Sequence, residues 1–418
     1  MRVLIFTFGT RGDIDPFAAL AERLSATGHV AVLSAPASYR QVVSSAVGFE
    51  PMATEMDRVM RAGMAGMDGP AQALALARQM SSAMRTSLLE QWEIAQRVQP
   101  TVIIAHPKAL GGLHIAERLG VPFVASLPLP FLTPTEAFPI PFLARPLPRR
   151  LNRLTYQFNR FPALAYGKMV NRFRREDLAL PRTSRFSDSL TTCDGDPVPV
   201  LYPFSHHVVP VPGDYPTTAH VTGYWFRDRL GRLDAPPDDL VEFLDGSRPV
   251  VYVGFGSMGF GAKAGERGRL VLQALQEAGV RAVVATGWGA LTAHSTGDIM
   301  VVKDVPHDWL FPRVSAVVHH GGSGTTAAGL LAGKPTLICP VLGDQPFWGR
   351  RVHELGVGPQ PLPLRTASPT ALADRILQLI SQQDYADTAA TIGERIASED
   401  GTGRAVELLE SIQAAFSD

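Results

Sequence analysis

The stretch His319-His-Gly-Gly-Ser-Gly-Thr-Thr326 concentrates hydrogen-bond donors at one point of the chain. It follows the apolar run 314–318 and precedes a helical pattern that begins near Ala327. The residues whose backbone N–H groups would lie at the start of that helix are Gly322, Ser323, Gly324 and Thr325. Such N–H groups bind phosphate well, because they lie at the positive end of the helix dipole. We therefore predict an anion site here, with the hydroxyls of Ser323 and Thr325 and one of the two imidazoles as further donors.

The two adjacent histidines of this motif do not predict a metal site. Neighbouring residues of a strand point to opposite faces, so the imidazoles of His319 and His320 cannot readily share one ion. The sequence has no Cys and His spacing typical of zinc. We expect no bound metal and no cofactor.

A carboxylate and a carboxamide stand side by side in Gly343-Asp-Gln345, one apolar run further along the chain. Both groups can bind neighbouring hydroxyls, so Asp344 and Gln345 would suit a sugar. A plain polar loop is the alternative interpretation.

The loop Gly254-Phe-Gly-Ser-Met-Gly259 fits the dinucleotide pattern G-x-G-x-x-G after an apolar run. A nicotinamide site also needs an acidic residue at the end of the next strand, and that strand ends in Ala285-Thr-Gly-Trp288. Gly333-Lys334 cannot belong to a P-loop, because Pro335 follows it. We predict that the glycine loop brings Ser257 and backbone amides to a phosphate.

Two carboxylates occur in Gly12-Asp-Ile-Asp-Pro16. Asp15 directly precedes a proline, a pair typical of a helix start, so we predict that Asp15 caps a helix. Asp13 is then available as a general base for a hydroxyl, although a turn-stabilising role stays open. His106 follows the apolar run 101–105 and would open into the same cleft, where it either orients Asp13 or is an ordinary loop histidine.

Short apolar runs alternate with helical patterns, which predicts parallel strands joined by crossover helices. The runs are 3–8, 31–35, 101–105 and 121–127 in the first half, and 249–253, 281–286, 299–303, 314–319 and 335–339 in the second. A proline-rich stretch, 197–216, and a polar stretch, 227–247, separate the halves. We predict an α/β protein of two doubly wound, Rossmann-like domains that face each other across a cleft, with ligands at the carboxyl ends of the strands.

The bulk composition excludes several classes of protein. The 418 residues include 39 basic and 39 acidic ones, so overall charge does not indicate a nucleic-acid partner. Two cysteines do not make a disulfide framework and fit a reducing cytoplasm. No apolar stretch reaches the roughly 20 residues that a membrane span needs. We expect a soluble, cytoplasmic protein of unknown oligomeric state, at most peripheral to a membrane.

Two segments of the first half bear on a second ligand. Methionines recur every three or four residues from Met52 to Met67, followed by Met80 and Met84, which predicts either core packing or an adaptable apolar pocket. Residues 141–175 carry nine Arg or Lys and no acid, interleaved with leucine and aromatic residues. That pattern is typical of a solvated basic face and also of an amphipathic segment that rests weakly on an anionic bilayer.

Four motifs together resemble glycosyltransferase family 1: Gly9-Thr-Arg-Gly-Asp-Ile-Asp-Pro16, Val305-Pro-His307, the His319–Thr326 loop and Gly343-Asp-Gln345. Within that family the chain is most similar to the sterol glucosyltransferases and to bacterial enzymes that glycosylate polyketide and glycopeptide natural products. Segments 107–117 and 133–138 are close to the sterol branch in particular. The resemblance covers essentially the whole chain. It implies the GT-B fold and a metal-independent transfer of sugar with inversion at the anomeric carbon.

The resemblance also implies an organisation: an acceptor domain in 1–226, a linker in 227–246, a nucleotide-sugar domain in 247–395, and a helix in 396–418 that crosses back to the first domain. The predicted catalytic residues are Asp13 and His106. The predicted donor-binding residues are Ser257, Trp288, Val305, His319, Gly322, Ser323, Gly324, Thr325, Asp344 and Gln345. The predicted acceptor-binding residues are Met56, Met60, Met84 and Phe131.

Three departures from the plant members of the family are informative. Those members have a catalytic histidine where this chain has Asp13 and an aspartate near the position of His106, which implies that the two roles are exchanged. The tryptophan that stacks on uracil corresponds to Asp304, and the ribose-binding glutamate corresponds to Ala327. Members of the sterol branch share these differences and use UDP-glucose, which favours UDP-glucose over a dTDP-sugar.

We predict a glycosyltransferase that moves a hexose to a hydroxyl of a lipophilic acceptor, such as a sterol, a macrolide or another polyketide. Asp13 would take the hydroxyl proton, while His319 and the loop amides stabilise the departing diphosphate. The alternatives are a GT-B-fold epimerase or hydrolase of nucleotide sugars, and a non-catalytic carrier of a lipophilic ligand. A carrier would have lost Asp13 or the phosphate loop, and this chain retains both.

Overall fold

The computed structural model describes residues 1–52, 59, 70–143, 147–184, 188, 190–192, 194–227, 237–246, 248–256, 264–287, 295–303 and 305–417. Its strands are β1 Arg2–Phe6, β2 Val30–Pro36, β3 Gly48–Met52, β4 Val102–Ala105, β5 Phe123–Ser126, β6 Val200–Tyr202, β7 Ala219–Val221, β8 Val250–Gly254, β9 Arg281–Ala285, β10 Ile299–Val302, β11 Ala316–His319 and β12 Thr336–Ile338. Its helices are α1 Arg11–Ala26, α2 Pro70–Val98, α3 Gly112–Leu119, α4 Arg149–Thr155, α5 Phe161–Glu176, α6 Asp238–Leu244, α7 Ala264–Ala278, α8 His307–Leu310, α9 Ser323–Leu331, α10 Gln345–Glu354, α11 Pro369–Ser381, α12 Gln383–Ala397 and α13 Gly401–Ser417. A short 3₁₀ helix, Tyr156–Arg160, joins α4 to α5.

The strands form two parallel sheets, so the prediction of two doubly wound α/β domains is confirmed. The strand order is β3-β2-β1-β4-β5-β6-β7 in the first sheet and β10-β9-β8-β11-β12 in the second. All nine predicted strands are present within a few residues of their expected bounds. Three further strands were not predicted, namely β3, β6 and β7. Each lacks a continuous apolar run, since β3 contains Gly48, Glu50 and Pro51 and the other two are three residues long.

Strand order reverses between β1 and β4 in the first sheet and between β8 and β11 in the second. Phe6 is paired with Ala105 at the first reversal, and His319 with Gly254 at the second. In open α/β sheets, ligands bind outside the carboxyl ends of the strands at such reversals. The loops after β1, β4, β8 and β11 are therefore the ones that the fold predisposes to form a site.

Apolar helix faces cover both sides of each sheet. Val3 and Ile5 of β1 pack in one core with α1 and α13, and Leu4 and Phe6 pack in another core on the opposite face. This alternation follows from the period of two in a strand. The second sheet is enclosed in the same way by two further cores.

A fifth core joins the two halves. It combines Tyr202 of β6 and Phe204, which follows that strand, with Phe347, Trp348 and Ile392 from helices of the second half. In addition, α13 returns to the first half, where Ala405 and Leu409 lie in the core beside α1. The two sheets therefore meet in a fixed relation. The domain limits at 226, 246 and 395 stay predictions.

Among the described residues, no helix is long and apolar enough to cross a bilayer.

Candidate active site

Helix α1 begins earlier than the sequence predicted. Thr10 is its N-cap, Arg11 its first residue, and Pro16 lies inside it. The prediction that Asp15 caps the helix is therefore wrong, and Asp15 instead lies 3.5 Å from Arg11 across one turn of the helix. Pro16 is the sixth residue of α1, so its missing N–H removes one bond of the helix. Asp-Pro is therefore an imprecise marker of the first turn.

Asp13 occupies the third position of α1 and has a structural contact of its own. The Thr10 N–H donates to Asp13 Oδ2 at 2.8 Å, which is one half of a capping box. The turn-stabilising role that the sequence left open for Asp13 is thus present in the structure. Gly9 has φ +137°, and a methyl group added there would lie 2.2 Å from Asp13 Oδ2. A glycine is required at this turn for the carboxylate to fold back over the loop.

Two side chains from the loop after β4 hold the Asp13 carboxylate. His106 Nε2 lies 3.3 Å from Oδ1, and Lys108 Nζ lies 2.8 Å from Oδ2. The backbone N–H of His106 donates to the backbone oxygen of Phe6 at 2.9 Å, and this bond joins the loop to the end of β1. The reversal of strand order therefore brings Asp13 and His106 together, as predicted.

The hydrogen bonding of His106 fixes which of its nitrogens faces Asp13 as a donor. The Lys108 backbone N–H donates to His106 Nδ1 at 3.1 Å, so in the neutral ring the hydrogen is on Nε2. The side chain of His106 is 2% exposed, whereas that of Asp13 is 17% exposed. Asp13 is thus the member of the pair that can reach a ligand, and His106 supports it from behind.

The protonation states follow from burial and neighbouring charge. Burial raises the pKa of Asp13, but the charge of Lys108 and the contact with His106 outweigh it and hold that pKa far below its ordinary value. Burial is the largest influence on His106 and lowers its pKa. At neutral pH the pair is therefore a carboxylate beside a neutral imidazole.

The predicted anion site lies at the first turn of α9, which begins at Ser323 rather than near Ala327. Gly322 is the N-cap, and the first intrahelical bond runs from the Thr326 N–H to Gly322 O at 2.9 Å. The backbone N–H groups of Ser323, Gly324 and Thr325 consequently have no acceptor within the helix. They are oriented to bind an anion along the helix dipole.

His319 presents a buried donor at the end of β11. Its Nδ1 accepts the Gly321 N–H at 3.0 Å, so the ring hydrogen lies on Nε2. Nε2 is buried and has no partner among the described residues. Burial is also the main reason that the pKa of His319 lies well below its ordinary value. Buried polar groups normally have a partner, so an unpaired imidazole N–H beside an anion site indicates a ligand donor.

Asp344 and Gln345 lie at the start of α10, after β12. Trp348 Nε1–H donates to Asp344 Oδ2 at 2.8 Å. Burial raises the pKa of Asp344 to about 6, and nearby Asp13 adds to that effect. The backbone N–H groups of Val341 and Leu342 donate to Gln345 Oε1 at 2.7 and 3.0 Å, so the Gln345 amide group retains only its NH₂ for a hydroxyl.

The site residues of the two halves meet across the cleft. A methyl group added at Gly324 would lie 3.8 Å from Gly12 Cα, and one added at Gly12 would lie 3.9 Å from Ser323 Oγ. The first turns of α1 and α9 therefore touch, with their positive ends directed at the same space. Asp13 and Asp344 are also close enough for each charge to affect the other. One small region thus combines the ionised carboxylate of Asp13, the N-terminal N–H groups of α9 and the carboxyl group of Asp344.

Several predicted residues lie elsewhere. Met84 is 6% exposed in the core beside Leu4 and Phe6, and Val305 is 8% exposed in the core beside Tyr252. Phe131 is half-buried and contacts other aromatic rings near the cleft. The remaining four, Met56, Met60, Ser257 and Trp288, lie outside the described residues. The binding roles of all these residues stay predictions.

The sequence reasoning missed two side chains of the site. Lys108 lies two residues after His106 in the same loop, and its position after β4 is a signal that could have identified it. Trp348 is fully buried and is recognisable only from its contact with Asp344, although its spacing of four residues fits one helical turn.

Comparisons with known proteins agree with this geometry. Residues 3–138 match the glycosyltransferase family 28 N-terminal domain, and residues 269–412 match the C-terminal domain of proteins like erythromycin biosynthesis protein CIII. A sterol 3-beta-glucosyltransferase of Arabidopsis thaliana is 36% identical over 422 residues, which cover 97% of this chain and 67% of that protein. A sterol 3-beta-glucosyltransferase of Saccharomyces cerevisiae is 34% identical over 426 residues, which cover 97% of this chain and 34% of that protein. This chain therefore spans about two thirds of the plant relative and about one third of the yeast relative.

Solved structures show the same fold at lower identity. The glycotransferase of kitacinnamycin superposes with a TM-score of 0.73 at 18% identity, with 98% of each chain covered. The glycosyltransferase VinC in complex with dTDP superposes with a TM-score of 0.65 at 20% identity, covering 99% of this chain and all of that one. The GT-B fold is thereby confirmed. With its two matched domains and its similarity to the plant enzyme over 97% of its own length, this chain belongs to the GT-B glycosyltransferases that include the sterol 3-beta-glucosyltransferases.

Proposed function

We propose that the protein transfers a hexose from a nucleotide diphosphate sugar to a hydroxyl of a lipophilic acceptor, with inversion at the anomeric carbon. The observation that carries the proposal is the position of Asp13, an ionised and partly exposed carboxylate that adjoins the first turn of α9 and lies near Asp344. A base, an anion site and a sugar-binding carboxylate are the three groups that such a displacement requires.

The donor's diphosphate would bind at the first turn of α9. Ser323, Gly324 and Thr325 supply N–H groups, and His319 supplies its Nε2–H. These donors stabilise the charge that develops on the leaving diphosphate, so the protein itself would provide what a divalent cation provides in other transferases. UDP-glucose is the donor that we favour, since the most similar relatives are named for glucosyl transfer.

Asp344 would accept hydrogen bonds from sugar hydroxyls. The Trp348 Nε1–H donates to Asp344 Oδ2 and so fixes the plane of the carboxylate. Oδ1 would then accept from a sugar hydroxyl. The NH₂ group of Gln345 supplies a donor next to it. A carboxylate oxygen and an amide nitrogen can grip adjacent hydroxyls of one ring.

Asp13 would deprotonate the acceptor hydroxyl as the oxygen attacks the anomeric carbon. A carboxylate with so low a pKa is a weak base, and Lys108 is the main charge that keeps it so. The Lys108 side chain is 37% exposed and can turn toward an incoming diphosphate. Its departure would raise the pKa of Asp13, so donor binding would activate the base.

The test is to incubate the protein with UDP-glucose and a sterol, and with dTDP-glucose and a macrolide in parallel. We expect acceptor-dependent nucleotide release and, from an α-linked donor, a β-glucoside by NMR. Nucleotide release that does not depend on any acceptor would favour a hydrolase. An α-glucoside would refute inversion.

A further inference from the structure

The segment 147–164, which is helical from Arg149, buries its uncharged polar side chains on one face. Asn152, Tyr156 and Asn159 are 2%, 3% and 6% exposed and form its inward face. The amide groups of Asn152 and Asn159 donate to backbone carbonyls at 2.8 and 2.7 Å, and these bonds fix the segment to the body of the protein. A surface helix normally packs its apolar face inward. Here that orientation is reversed.

The outward face is a stripe of large apolar side chains at intervals of four and three residues. It consists of Leu147, Leu151, Leu154, Phe158 and Phe161, each between 36% and 60% exposed. Of the 14 large hydrophobic side chains that are exposed in the described part of the chain, eight lie between 142 and 164. Single exposed leucines need no explanation, but a contiguous apolar surface indicates an interaction site. We call this set of five the apolar stripe.

Positive charge borders the apolar stripe. Arg150, Arg153 and Arg160 each directly precede one of its residues, and all three are exposed. Residues 141–175 contain no aspartate or glutamate. A partner for this surface must therefore be apolar in its middle and anionic at its edge. The headgroup region of a bilayer with acidic lipids has both properties.

A second copy of the chain is a poorer partner. A two-fold symmetric contact would place the stripe against itself, so the bordering arginines of both copies would face one another. The segment contains no acid, and of the three arginines only Arg153 has an acid nearby, Asp214 at 4.0 Å, so most of this charge would stay uncompensated. Like charges brought together at an interface oppose association.

The apolar stripe continues into the candidate active site through three aromatic rings. Phe158 lies 6.2 Å from Phe142 and 6.1 Å from Phe131, and the latter two rings are 4.9 Å apart between centroids. A methyl group added at Gly343 would lie 3.9 Å from a ring carbon of Phe142. Gly343 directly precedes Asp344, so apolar surface extends from the exposed stripe to the sugar-binding loop.

We propose that the apolar stripe and its arginines dock the protein on an anionic bilayer, so that a lipophilic acceptor passes from the membrane along the aromatic rings to Asp13 without crossing water. The inference rests on the proposed function only in taking the acceptor to be lipophilic. Docking itself requires neither a donor nor turnover.

The experiment is flotation of the full chain with vesicles of phosphatidylcholine alone and of phosphatidylcholine with phosphatidylserine. We expect binding to the anionic vesicles that weakens as salt is added. The variant Arg150→Gln/Arg153→Gln/Arg160→Gln should bind on the order of 100-fold more weakly, since each arginine near the surface contributes about fivefold. Leu151→Ser/Leu154→Ser/Phe161→Ser should lose at least about tenfold on both vesicle types.

Control variants remove the same number of charges, or the same number of exposed apolar side chains, elsewhere on the surface. These are Arg269→Gln/Arg365→Gln/Arg395→Gln and Val30→Ser/Val42→Ser/Leu377→Ser, at exposed positions outside the segment. They should bind vesicles like the unmodified protein. Affinity for UDP-glucose, measured by calorimetry without vesicles, separates the two proposals, because the stripe variants should retain it.

Three results would overturn the docking proposal. The unmodified protein could show no preference for anionic vesicles, and this measurement does not depend on whether any variant folds. The controls could lose as much binding as the stripe variants. Sedimentation could show that the unmodified protein forms a dimer, or binds an acidic protein, and does not bind vesicles. Loss of that complex in the stripe variants would then assign the stripe to a protein partner. If the unmodified protein did not bind UDP-glucose, that result would count against the proposed function and would not affect the docking proposal.

Discussion

Replacing Asp13 by asparagine tests the base and separates its chemistry from its structural contact. The amide oxygen of asparagine can still accept the Thr10 N–H, which Asp13 Oδ2 accepts at 2.8 Å. What the substitution removes is the negative charge beside Lys108 and the capacity to take a proton. We therefore expect a large effect on turnover and a small one on folding.

The two magnitudes follow from different contacts. General-base help is typically worth 10²–10⁴-fold in rate, which is about 3–5 kcal/mol of activation free energy. The ion pair with Lys108 has a partner that is 37% exposed, so its contribution to the free energy of unfolding is about 1 kcal/mol or less. Because the pKa of Asp13 is lowered in the folded protein, that contribution is present above the ordinary Asp pKa and is lost as the pH falls through the folded value. At neutral pH the variant should thus melt within a few degrees of the unmodified protein.

The assay is initial-rate nucleotide release with UDP-glucose and a saturating acceptor, with donor affinity measured by calorimetry. Asp13→Asn should lower kcat by the stated factor at nearly unchanged donor affinity. Asp15→Asn is the matched control in the same helix, and it should retain most activity, because asparagine keeps the size of the side chain and a partly exposed ion pair such as that with Arg11 contributes little.

His106 provides the sharpest contrast. Its donor nitrogen faces Asp13 and its other nitrogen is occupied, so His106→Gln should reduce kcat by about tenfold through loss of positioning. Near-normal kcat in Asp13→Asn, together with no detectable turnover in His106→Gln, would show that His106 rather than Asp13 is the base.

Four further outcomes are expected. His319→Ala should weaken UDP-glucose binding by about one to two orders of magnitude in calorimetry, as the loss of a charge-assisted hydrogen bond implies, and unchanged affinity would exclude His319 from the diphosphate site. Donor affinity should decline as the pH falls through about 6, because protonation of Asp344 removes its acceptor character, and Asp344→Asn should bind the donor weakly at every pH. Trp348→Phe should raise the pKa of Asp344 and shift that decline to higher pH, since the N–H that stabilises the carboxylate is lost; an unshifted profile would contradict the assignment. Activity should persist in EDTA, and a strict need for Mg²⁺ or Mn²⁺ at saturating donor would refute stabilisation of the leaving group by the protein alone.

The sequence predicted the strands that are buried on both faces, because an apolar run such as 249–253 has a single physical interpretation. It did not predict β6, which is three residues long and lies in a stretch rich in proline. The start of α1 was misplaced for a related reason. Asp-Pro signals a helix start only statistically, and the contact that sets this one depends on how Asp13 folds back across Gly9. Contacts of that kind depend on backbone angles that residue types do not specify.

Sequence motifs identified residues of the candidate site but not all of their contacts. Spacing after successive strands indicated Asp13, His106, His319 and Asp344, because parallel strands bring their carboxyl ends to one edge. Spacing could not show that Gln345 Oε1 is occupied by backbone N–H groups, nor that Lys108 carries the charge that sets the pKa of Asp13. Both are consequences of loop conformation.

The polarity of the Asp13–His106 pair follows from a backbone hydrogen bond. In a pair of this type, either the imidazole or the carboxylate can face the substrate, and the choice depends on which nitrogen of the ring is free to accept a proton. Here the Lys108 backbone N–H occupies Nδ1, so the hydrogen of the neutral ring is on Nε2, 3.3 Å from Asp13 Oδ1, and the buried ring has no lone pair to offer. The carboxylate, in contrast, is partly exposed at the first turn of a helix. The loop conformation therefore favours the proposed aspartate base supported by a histidine, with the chemical roles reversed relative to a histidine base oriented by a carboxylate.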